Sequence, residues 1–184
     1  INMKKFIIAL SSGYENLCDR VIAPSQSIKE ILINRNVTTP IEVVPTGVDV
    51  QKYSNGNGSE IREKFNIPKD AFLVGYVGRV TKEKNLIFLA KSLSKFLQKN
   101  KNAYAIVVGS GTLNDHLASI FDKNNISDRT ILPGSLTGSD LINAYHSLNA
   151  FVFASKTETQ GMVIIEAMAA GVPVVAIDAT GITD

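Results

Sequence analysis

The chain has 184 residues, of which 45% are hydrophobic and 20% are charged, and its formal net charge is +2. This balance is ordinary for a globular protein of one domain, or of one domain with part of another, and it excludes the broad basic surface of a nucleic-acid-binding protein. A single cysteine, Cys18, excludes an internal disulfide and favours a reducing compartment, so we expect a cytoplasmic protein.

Short apolar runs alternate with helical patterns along the chain. The runs are continuous, which is typical of strands buried on both faces of a parallel sheet. The predicted strands are residues 21–23, 41–44, 72–77, 104–108, 130–132, 151–154 and 172–177. The segments between them suit the helices of right-handed crossovers, and residues 86–97 have apolar positions at the helical period. The predicted fold class is therefore α/β, with a doubly wound parallel sheet.

A glycine-rich polar stretch, Tyr53-Ser-Asn-Gly-Asn-Gly-Ser59, interrupts this pattern and predicts a linker or a long loop. We place a domain boundary there, with residues 1–50 finishing one unit and residues 51–184 forming the main one. The chain opens without a folding unit of its own and stops just after the last predicted strand. We therefore expect a piece of a longer protein, truncated at both ends.

The first candidate site is Gly78-Arg79-Val-Thr-Lys-Glu-Lys84, which follows a strand and leads into a helix with Thr81 as its predicted N-cap. Lys82 and Lys84 would lie in the first turn, where the helix dipole disfavours each cation by about 0.3–1 kcal/mol. With Arg79 and the free backbone amides they indicate a site for an anion, most simply a diphosphate. The alternative is a pair of solvated lysines on an exposed turn.

The second candidate site is the turn before the helix that begins near Met162. Gly161 lets the backbone approach a ligand, and the amides of Gly161, Met162 and Val163 lie at the helix N-terminus. Glu158 lies in the preceding loop, and Glu166 lies about one turn inside a helix that is otherwise apolar all the way round and is expected to be buried.

A buried carboxylate is costly unless something pairs with it, so we expect Glu166 to bind a partner that the chain does not encode. Carboxylates without a metal are suited to accept hydrogen bonds from sugar hydroxyls. The alternatives are an ion pair between Glu166 and a lysine, and a solvated loop acid at Glu158.

Other motifs are weak or missing. The glycine-rich turn Val107-Val-Gly109-Ser-Gly111 has Asn114 where the dinucleotide fingerprint has its third glycine, so it is poor evidence for NAD. A P-loop is excluded because no Gly-Lys-Ser/Thr occurs. The two histidines are isolated in the sequence, so we expect no metal site.

Two motifs together closely resemble those of the retaining glycosyltransferases of family 4 (GT4), which have the two-domain GT-B fold. They are Gly78-Arg79-x4-Lys84 and Glu158-x7-Glu166, in this order and each after a strand. Residues 19–25 resemble the end of that family's N-terminal domain, and residues 41–49 resemble its interdomain linker. Residues 108–111 and 166–175 match further family motifs, so the resemblance covers nearly the whole chain.

The resemblance implies a role for each candidate residue. Arg79 and Lys84 would hold the diphosphate of a nucleotide sugar and, with Glu158 near the donor sugar, form the catalytic set. Glu166 would bind the ribose hydroxyls, and the backbone of Leu136 would read the base. The implied donor-binding residues are Gly78, Leu136, Gly161, Met162, Val163 and Glu166.

The resemblance also implies transfer with retention, without a metal and without a cofactor besides the donor. Residues 155–161 and Pro45-Thr-Gly47 look similar to the branch that glucosylates diacylglycerol, which suggests UDP-glucose as donor, a lipid acceptor and peripheral contact with the inner face of the membrane. In this family the N-terminal domain selects the acceptor, so we expect this chain to keep a donor half-site without turnover. The alternatives are a non-catalytic nucleotide-sugar-binding module and a GT-B epimerase.

Overall fold

The computed structural model describes residues 3–182, without the side chains of residues 4 and 5. The chain divides into two compact units. The first comprises Ile1–Gly47, Thr157–Gly161 and Asp178–Asp184, and the second comprises Val48–Lys156 and Met162–Ile177. The first two and the last two residues lie outside the described residues. The expectation that the chain is truncated at both ends concerns these residues and stays a prediction. The domain boundary at residues 50 and 51 stays a prediction.

The first unit contains two helices and a pair of short strands. In chain order they are α1 (Met3–Glu15), β1 (Val21–Ala23), α2 (Gln26–Asn34) and β2 (Ile41–Val43). The two strands pair in parallel, with α2 as the crossover between them. Helix α2 begins after Ser25, whose hydroxyl accepts a hydrogen bond from the Ile28 amide at 3.3 Å, as an N-cap residue does.

Helix α1 leaves apolar surface exposed in the described residues. Phe6, Ile7 and Leu10 are each more than half exposed. The helix has 13 residues, whereas a bilayer crossing needs about 20. Between residues 3 and 182 no helix combines the length and the apolar character that crossing a bilayer requires.

The second unit is a parallel sheet with helices along it. Its elements in chain order are α3 (Val50–Ser54), α4 (Gly58–Lys64), β3 (Phe72–Val77), a 3₁₀ helix (Lys82–Lys84), α5 (Leu86–Lys99), β4 (Ala103–Val108), α6 (Asn114–Lys123), a second 3₁₀ helix (Ser127–Arg129), β5 (Thr130–Gly134), α7 (Gly138–Ser147), β6 (Ala150–Phe153), α8 (Met162–Ala169) and β7 (Val174–Ala176). The five strands lie in the order β5-β4-β3-β6-β7, and each pair is parallel. The predicted α/β class is confirmed, and each predicted strand is present with its ends shifted by a few residues at most.

The core of the second unit is built from the central strands and the apolar faces of the helices. Its largest fully buried side chains include Leu73, Tyr76, Leu86, Leu97, Ile106, Leu117, Phe121, Tyr145 and Phe151. The continuous apolar runs of β3 and β4 are buried on both faces, as predicted. The same prediction is wrong for β1, β2 and β7. Ile22 on β1 is 68% exposed, Glu42 on β2 is exposed, and Val175 on β7 is 62% exposed.

The glycine-rich stretch is not the linker or long loop that the sequence predicts. Residues 55–57 are all that separates α3 from α4, and Tyr53 is buried. A Cβ atom on Gly56 would lie 2.2 Å from Cδ2 of His146, and one on Gly58 would lie 2.2 Å from the His146 carbonyl oxygen. Glycine is needed at these two positions because the backbone packs closely against α7. The glycines therefore indicate close contact between the backbone and α7, and not a flexible chain.

Candidate functional site

The carboxyl ends of β3 and β6 meet where the strand order of the sheet reverses. Strands β3, β4 and β5 follow one another outward, and the chain then crosses to β6 on the other side of β3 and continues to β7. The loops after β3 and β6 therefore diverge, and such a crevice is where doubly wound sheets bind ligands. Arg79 follows β3 and Glu166 lies on the helix after β6, so the topology brings both candidate segments to this crevice.

Glycines allow the backbone at three neighbouring strand ends to come close together. The Gly78 amide donates to the Val108 carbonyl at 3.0 Å, and the Gly109 amide donates to the Gly134 carbonyl at 2.8 Å. A Cβ atom on Gly109 would lie 1.8 Å from the Gly78 carbonyl oxygen, and Gly109 has a φ of 138°. No larger residue fits there, so bare backbone lines this part of the crevice.

The loop that contains Leu136 follows β5 at the same edge of the sheet. Gly134 ends the strand with a φ of 78°, and Leu136 is partly exposed. The hydroxyl of Ser135 contacts the hydroxyl of Ser110 in the loop after β4. The loops after β4 and β5 are thus joined, and the reading of a base by the Leu136 backbone stays a prediction.

Arg79 has a fixed backbone and an exposed side chain. The buried Tyr76 hydroxyl donates to the Arg79 carbonyl at 3.0 Å, directly after the strand. The Arg79 guanidinium is 71% exposed, and its Nη2 atom lies 2.9 Å from Oε1 of Glu83. A phosphate bound at Arg79 would therefore compete with a carboxylate for the same donor.

The start of helix α5 differs from the prediction. Thr81 stands at the N-cap position of the 3₁₀ helix Lys82–Lys84, but its side chain makes no capping hydrogen bond. Asn85 then adopts a left-handed conformation with a φ of 55°, and α5 begins at Leu86. Lys82 and Lys84 consequently lie before the α-helix and not in its first turn, so the dipole of α5 does not disfavour them as predicted.

Asn85 is a residue that the sequence analysis missed. Its Nδ2 atom donates to the Ala154 carbonyl at 3.1 Å, which joins the segment after β3 to the end of β6. Asparagine is one of the few residues other than glycine that adopt the left-handed conformation readily. The asparagine directly before an apolar helical run could have indicated the left-handed residue at the start of α5. It does not indicate the hydrogen bond to Ala154, which is far away in the sequence.

Glu166 is partly exposed on α8, and its carboxylate lies beside two tyrosines. The Tyr145 hydroxyl donates to Oε2 of Glu166 at 2.7 Å. Burial, followed by a hydrogen bond to Glu166 and the charge of that carboxylate, raises the pKa of Tyr53 to about 12. The same causes, with burial again the largest, raise the pKa of Tyr145 above the usual range of a phenol. Both hydroxyls therefore stay protonated near neutral pH and can donate.

Two expectations about Glu166 and its helix are wrong. The chain does encode a partner for the carboxylate, and the hydrogen bond that the structure gives to it comes from Tyr145 and not from the lysine considered as an alternative. Helix α8 is not buried on every side, because Met168 is 61% exposed. The apolar composition of α8 does not indicate Tyr145 and Tyr53, which lie on other helices and far away in the sequence.

The loop that contains Glu158 belongs to the first unit. The Glu158 amide donates to the Thr180 carbonyl at 3.0 Å, and Thr157 forms an isolated parallel bridge with Thr180. A Cβ atom on Gly181 would lie 2.2 Å from the Glu158 carbonyl oxygen, so the two segments are in close backbone contact. This contact fixes the backbone of Glu158, whose role near a donor sugar stays a prediction.

The turn before α8 has the geometry that the sequence predicts. Gly161 has a φ of 58°, which favours glycine, and the helix begins at Met162. The amides of Met162 and Val163 lie in the first turn, where backbone donors have no partner within the helix. Their binding of an anion stays a prediction.

His146, one of the two histidines, is engaged in packing. Its Nε2 atom donates to the Tyr53 carbonyl at 2.8 Å. In the part of the chain that the structure describes, no group of three or more histidine, cysteine, aspartate and glutamate residues is arranged to hold a metal ion.

Comparison with known families identifies the larger part of the chain. The model of the family described as glycosyl transferases group 1 matches residues 57–184. The chain belongs to this family. A second model, that of glycosyltransferase family 4, matches residues 2–52 of the same group 1 chain. Together the two matches agree with the resemblance to GT4 that the sequence motifs indicate.

Curated relatives of this group 1 chain include two proteins whose names describe different reactions. The alpha-monoglucosyldiacylglycerol synthase of Streptococcus pneumoniae is 27% identical over 180 residues, which cover 95% of this chain and 40% of the relative. The GDP-mannose-dependent alpha-mannosyltransferase of Mycobacterium tuberculosis is 31% identical over 168 residues, which cover 91% of this chain and 41% of the relative. The chain thus spans less than half the length of these relatives.

Solved structures include proteins of the same fold. Anabaena HepE, solved in complex with UDP and glucose, matches with a TM-score of 0.87 at 23% identity, over 97% of this chain and 50% of that chain. This likeness confirms the predicted fold, the Rossmann-like architecture of the GT-B glycosyltransferases.

Proposed function

We propose that the chain is the donor-binding part of a metal-independent, retaining glycosyltransferase. It moves a hexose, with glucose as the first candidate, from a nucleotide sugar to an acceptor, with diacylglycerol as the acceptor to test first. Membership of the group 1 family supports the transferase class. The donor, the acceptor, the retention and the independence of a metal belong to the proposal.

One observation carries the proposal. The Arg79 segment and the helix of Glu166 follow adjacent strands at the point where the strand order reverses. A nucleotide diphosphate has anionic phosphates and a ribose with neighbouring hydroxyls. The crevice offers a guanidinium and backbone amides for the first, and a carboxylate acceptor for the second.

Each residue has a defined part in this proposal. Arg79 and Lys84 hold the diphosphate, with the amides of Met162 and Val163, while Gly78 and Gly161 let the backbone approach it. Glu166 accepts hydrogen bonds from the ribose, and the Leu136 backbone contacts the base. Glu158 lies near the donor sugar.

The proposed chemistry is electrostatic stabilisation of the leaving diphosphate. The bond between the sugar anomeric carbon and the phosphate oxygen breaks, and the acceptor oxygen forms its bond to that carbon on the same face. The acceptor proton passes to the departing phosphate. Fixed cationic and amide donors stabilise the negative charge that develops on this phosphate, in the manner of an oxyanion hole.

The proposed donor and acceptor are supported by the names of similar proteins. The 27% identity with the Streptococcus pneumoniae synthase, whose name contains a glucosylated diacylglycerol, supports glucose and a lipid acceptor. The 31% identity with a GDP-mannose-dependent enzyme makes GDP-mannose the donor to exclude. A lipid acceptor would place the protein at the inner face of the membrane in the cytoplasm, with peripheral contact only.

A thermal-shift screen of the purified protein tests the proposal. The compounds are UDP-glucose, UDP-galactose, UDP-N-acetylglucosamine and GDP-mannose, because a ligand that binds the native state raises the melting temperature by mass action. We expect the largest shift with UDP-glucose. The largest shift with GDP-mannose would contradict the donor, and no shift with any nucleotide sugar would contradict the proposed function.

A further inference from the structure

Two tyrosines from two other helices lie at the Glu166 carboxylate. The Tyr145 hydroxyl on α7 donates to Oε2 of Glu166 on α8 at 2.7 Å. Tyr53 on α3 lies close enough to this carboxylate for Glu166 to raise its pKa, and its ring lies edge-on to that of Tyr145, with 5.9 Å between the centroids and an interplanar angle of 73°. All three residues belong to the second unit.

Both tyrosines are held in place by packing that does not involve Glu166. Tyr145 is fully buried, and its ring packs against Phe151 on β6 with 5.9 Å between the centroids. The Tyr53 carbonyl accepts a hydrogen bond from Nε2 of His146 at 2.8 Å, and Tyr53 is 8% exposed. The two hydroxyls are therefore fixed donors, and the flexible side chain in the cluster is that of the glutamate.

Hydrogen-bonding capacity remains on the carboxylate. An ionised carboxylate has about four acceptor sites, and the Tyr145 hydroxyl uses one of them. Glu166 is partly exposed, whereas Tyr145 is fully buried, so the glutamate is the member of this group that a ligand can reach. Acceptor sites with a fixed orientation suit a pair of neighbouring hydroxyl groups.

We propose that Tyr145 and Tyr53 are positioning residues, which orient the Glu166 carboxylate toward the ribose hydroxyls of the nucleotide donor. The inference rests on the proposed function, in which Glu166 binds the ribose of the donor. Neither tyrosine touches the donor in this proposal; each acts through the geometry of Glu166. Without the hydroxyls, the glutamate side chain would occupy several rotamers and would bind the ribose less well.

The test compares two probes by isothermal titration calorimetry. UDP has both ribose hydroxyls, and 2′,3′-dideoxy-UDP has neither. The dissociation constant of 2′,3′-dideoxy-UDP divided by that of UDP is therefore a ratio that measures recognition of the ribose hydroxyls alone. We expect Tyr145→Phe to lower this ratio by about five- to ten-fold and Tyr53→Phe by about three-fold, since a ten-fold change corresponds to the loss of one good hydrogen bond. A merely structural effect would weaken both probes equally and leave the ratio unchanged.

Matched variants separate the inference from the proposed function. Tyr104→Phe removes a phenol on β4 and should leave the ratio at its wild-type value, while Glu166→Ala should abolish the preference for UDP. If Glu166→Ala abolishes the preference but both tyrosine variants keep it, the inference is wrong and the proposed function stands. If the wild-type protein binds both probes equally or binds neither, the ribose site itself is wrong, and the inference falls with it. Should Tyr145→Phe fail to fold, Tyr53→Phe decides by the same ratio.

Discussion

Arg79 and Glu83 form an ion pair four residues apart, with 2.9 Å between Nη2 and Oε1. Both side chains are more than half exposed, and such pairs contribute about 0.2–1 kcal/mol. In the proposed function the same guanidinium binds the diphosphate, so Glu83 competes with the donor for it. The affinity for the donor therefore depends on how much more strongly Arg79 interacts with the diphosphate than with the Glu83 carboxylate.

Removing the competing carboxylate should strengthen nucleotide binding. We expect Glu83→Gln to lower the dissociation constant of UDP by about two- to three-fold, in line with the small energy of an exposed pair. Calorimetry at low salt provides the measurement. Glu63→Gln makes the same charge change on an exposed part of α4 and should have no effect; equal gains in both variants would indicate net charge as the cause.

Removing the side chains proposed to bind the phosphates should weaken the binding of UDP and make it depend less on salt. We expect Arg79→Ala and Lys84→Ala each to raise the dissociation constant of UDP by about ten-fold, since each removes a charge-assisted contact. The loss should shrink as salt is raised, because salt screens exposed charges. Lys91→Ala, on an exposed position of α5, serves as the control. Unchanged UDP binding in the Lys84 variant would clear that residue of the proposed role.

The close approach of Gly109 to Gly78 should make the second unit intolerant of a side chain there. A Cβ atom on Gly109 would lie 1.8 Å from the Gly78 carbonyl oxygen, so Gly109→Ala should lower the free energy of unfolding by about 2 kcal/mol or more. Urea denaturation followed by circular dichroism measures the change.

A matched glycine variant provides the control for this prediction. Gly13 lies in α1, and nothing lies within 4 Å of the position of its added Cβ atom. Gly13→Ala should stabilise the protein by about 0.5–1 kcal/mol, because it removes backbone freedom from the unfolded chain. A Gly109→Ala protein as stable as the wild type would contradict the close contact.

The raised pKa of Tyr53 predicts a loss of stability at alkaline pH. Burial and Glu166 raise this pKa from 10.0 to about 12, so the folded state holds the phenol proton more tightly than the unfolded state does. The associated stability is fully present below pH 10 and is lost as the pH rises toward 12.

The measurement is the urea midpoint at several pH values from about 9 to about 11.5, which cover most of the range in which this stability is lost. We expect the midpoint of Tyr53→Phe to fall less steeply with pH than that of the wild type. Tyr14→Phe changes a phenol that is 72% exposed and should keep the wild-type slope. Equal slopes in all three proteins would show that Tyr53 is not linked to the charge of Glu166.

The positions of the strands and the candidate segments could be predicted from the sequence. Continuous apolar runs mark β3 and β4 because both faces of a central parallel strand are buried, and this is a property of neighbouring residues. The turn at Gly161 was also predictable, since glycine at a positive φ is a local requirement. These signals depend on the local backbone and on burial, which the composition of a short segment reflects.

Contacts between distant residues could not be predicted in this way. Arg62 donates to the carbonyls of Ser147 and Ala71 at 3.0 and 2.9 Å, and its burial lowers the pKa of the guanidinium, yet nothing near Arg62 in the sequence indicates these acceptors. The glycines at residues 56 and 58 predict a linker or a long loop, because composition cannot report that His146 packs against them.

The sequence by itself determined the α/β class, the order of the strands along the chain and the motifs that identify the family. Only the tertiary structure decided that Glu166 is bonded by Tyr145, that Arg79 is paired with Glu83, and that the helix before Leu86 is a separate 3₁₀ turn. The physical reason is that periodicity and propensity act over a few neighbouring residues. Hydrogen bonds and ion pairs depend on which side chains packing brings within about 3 Å of one another.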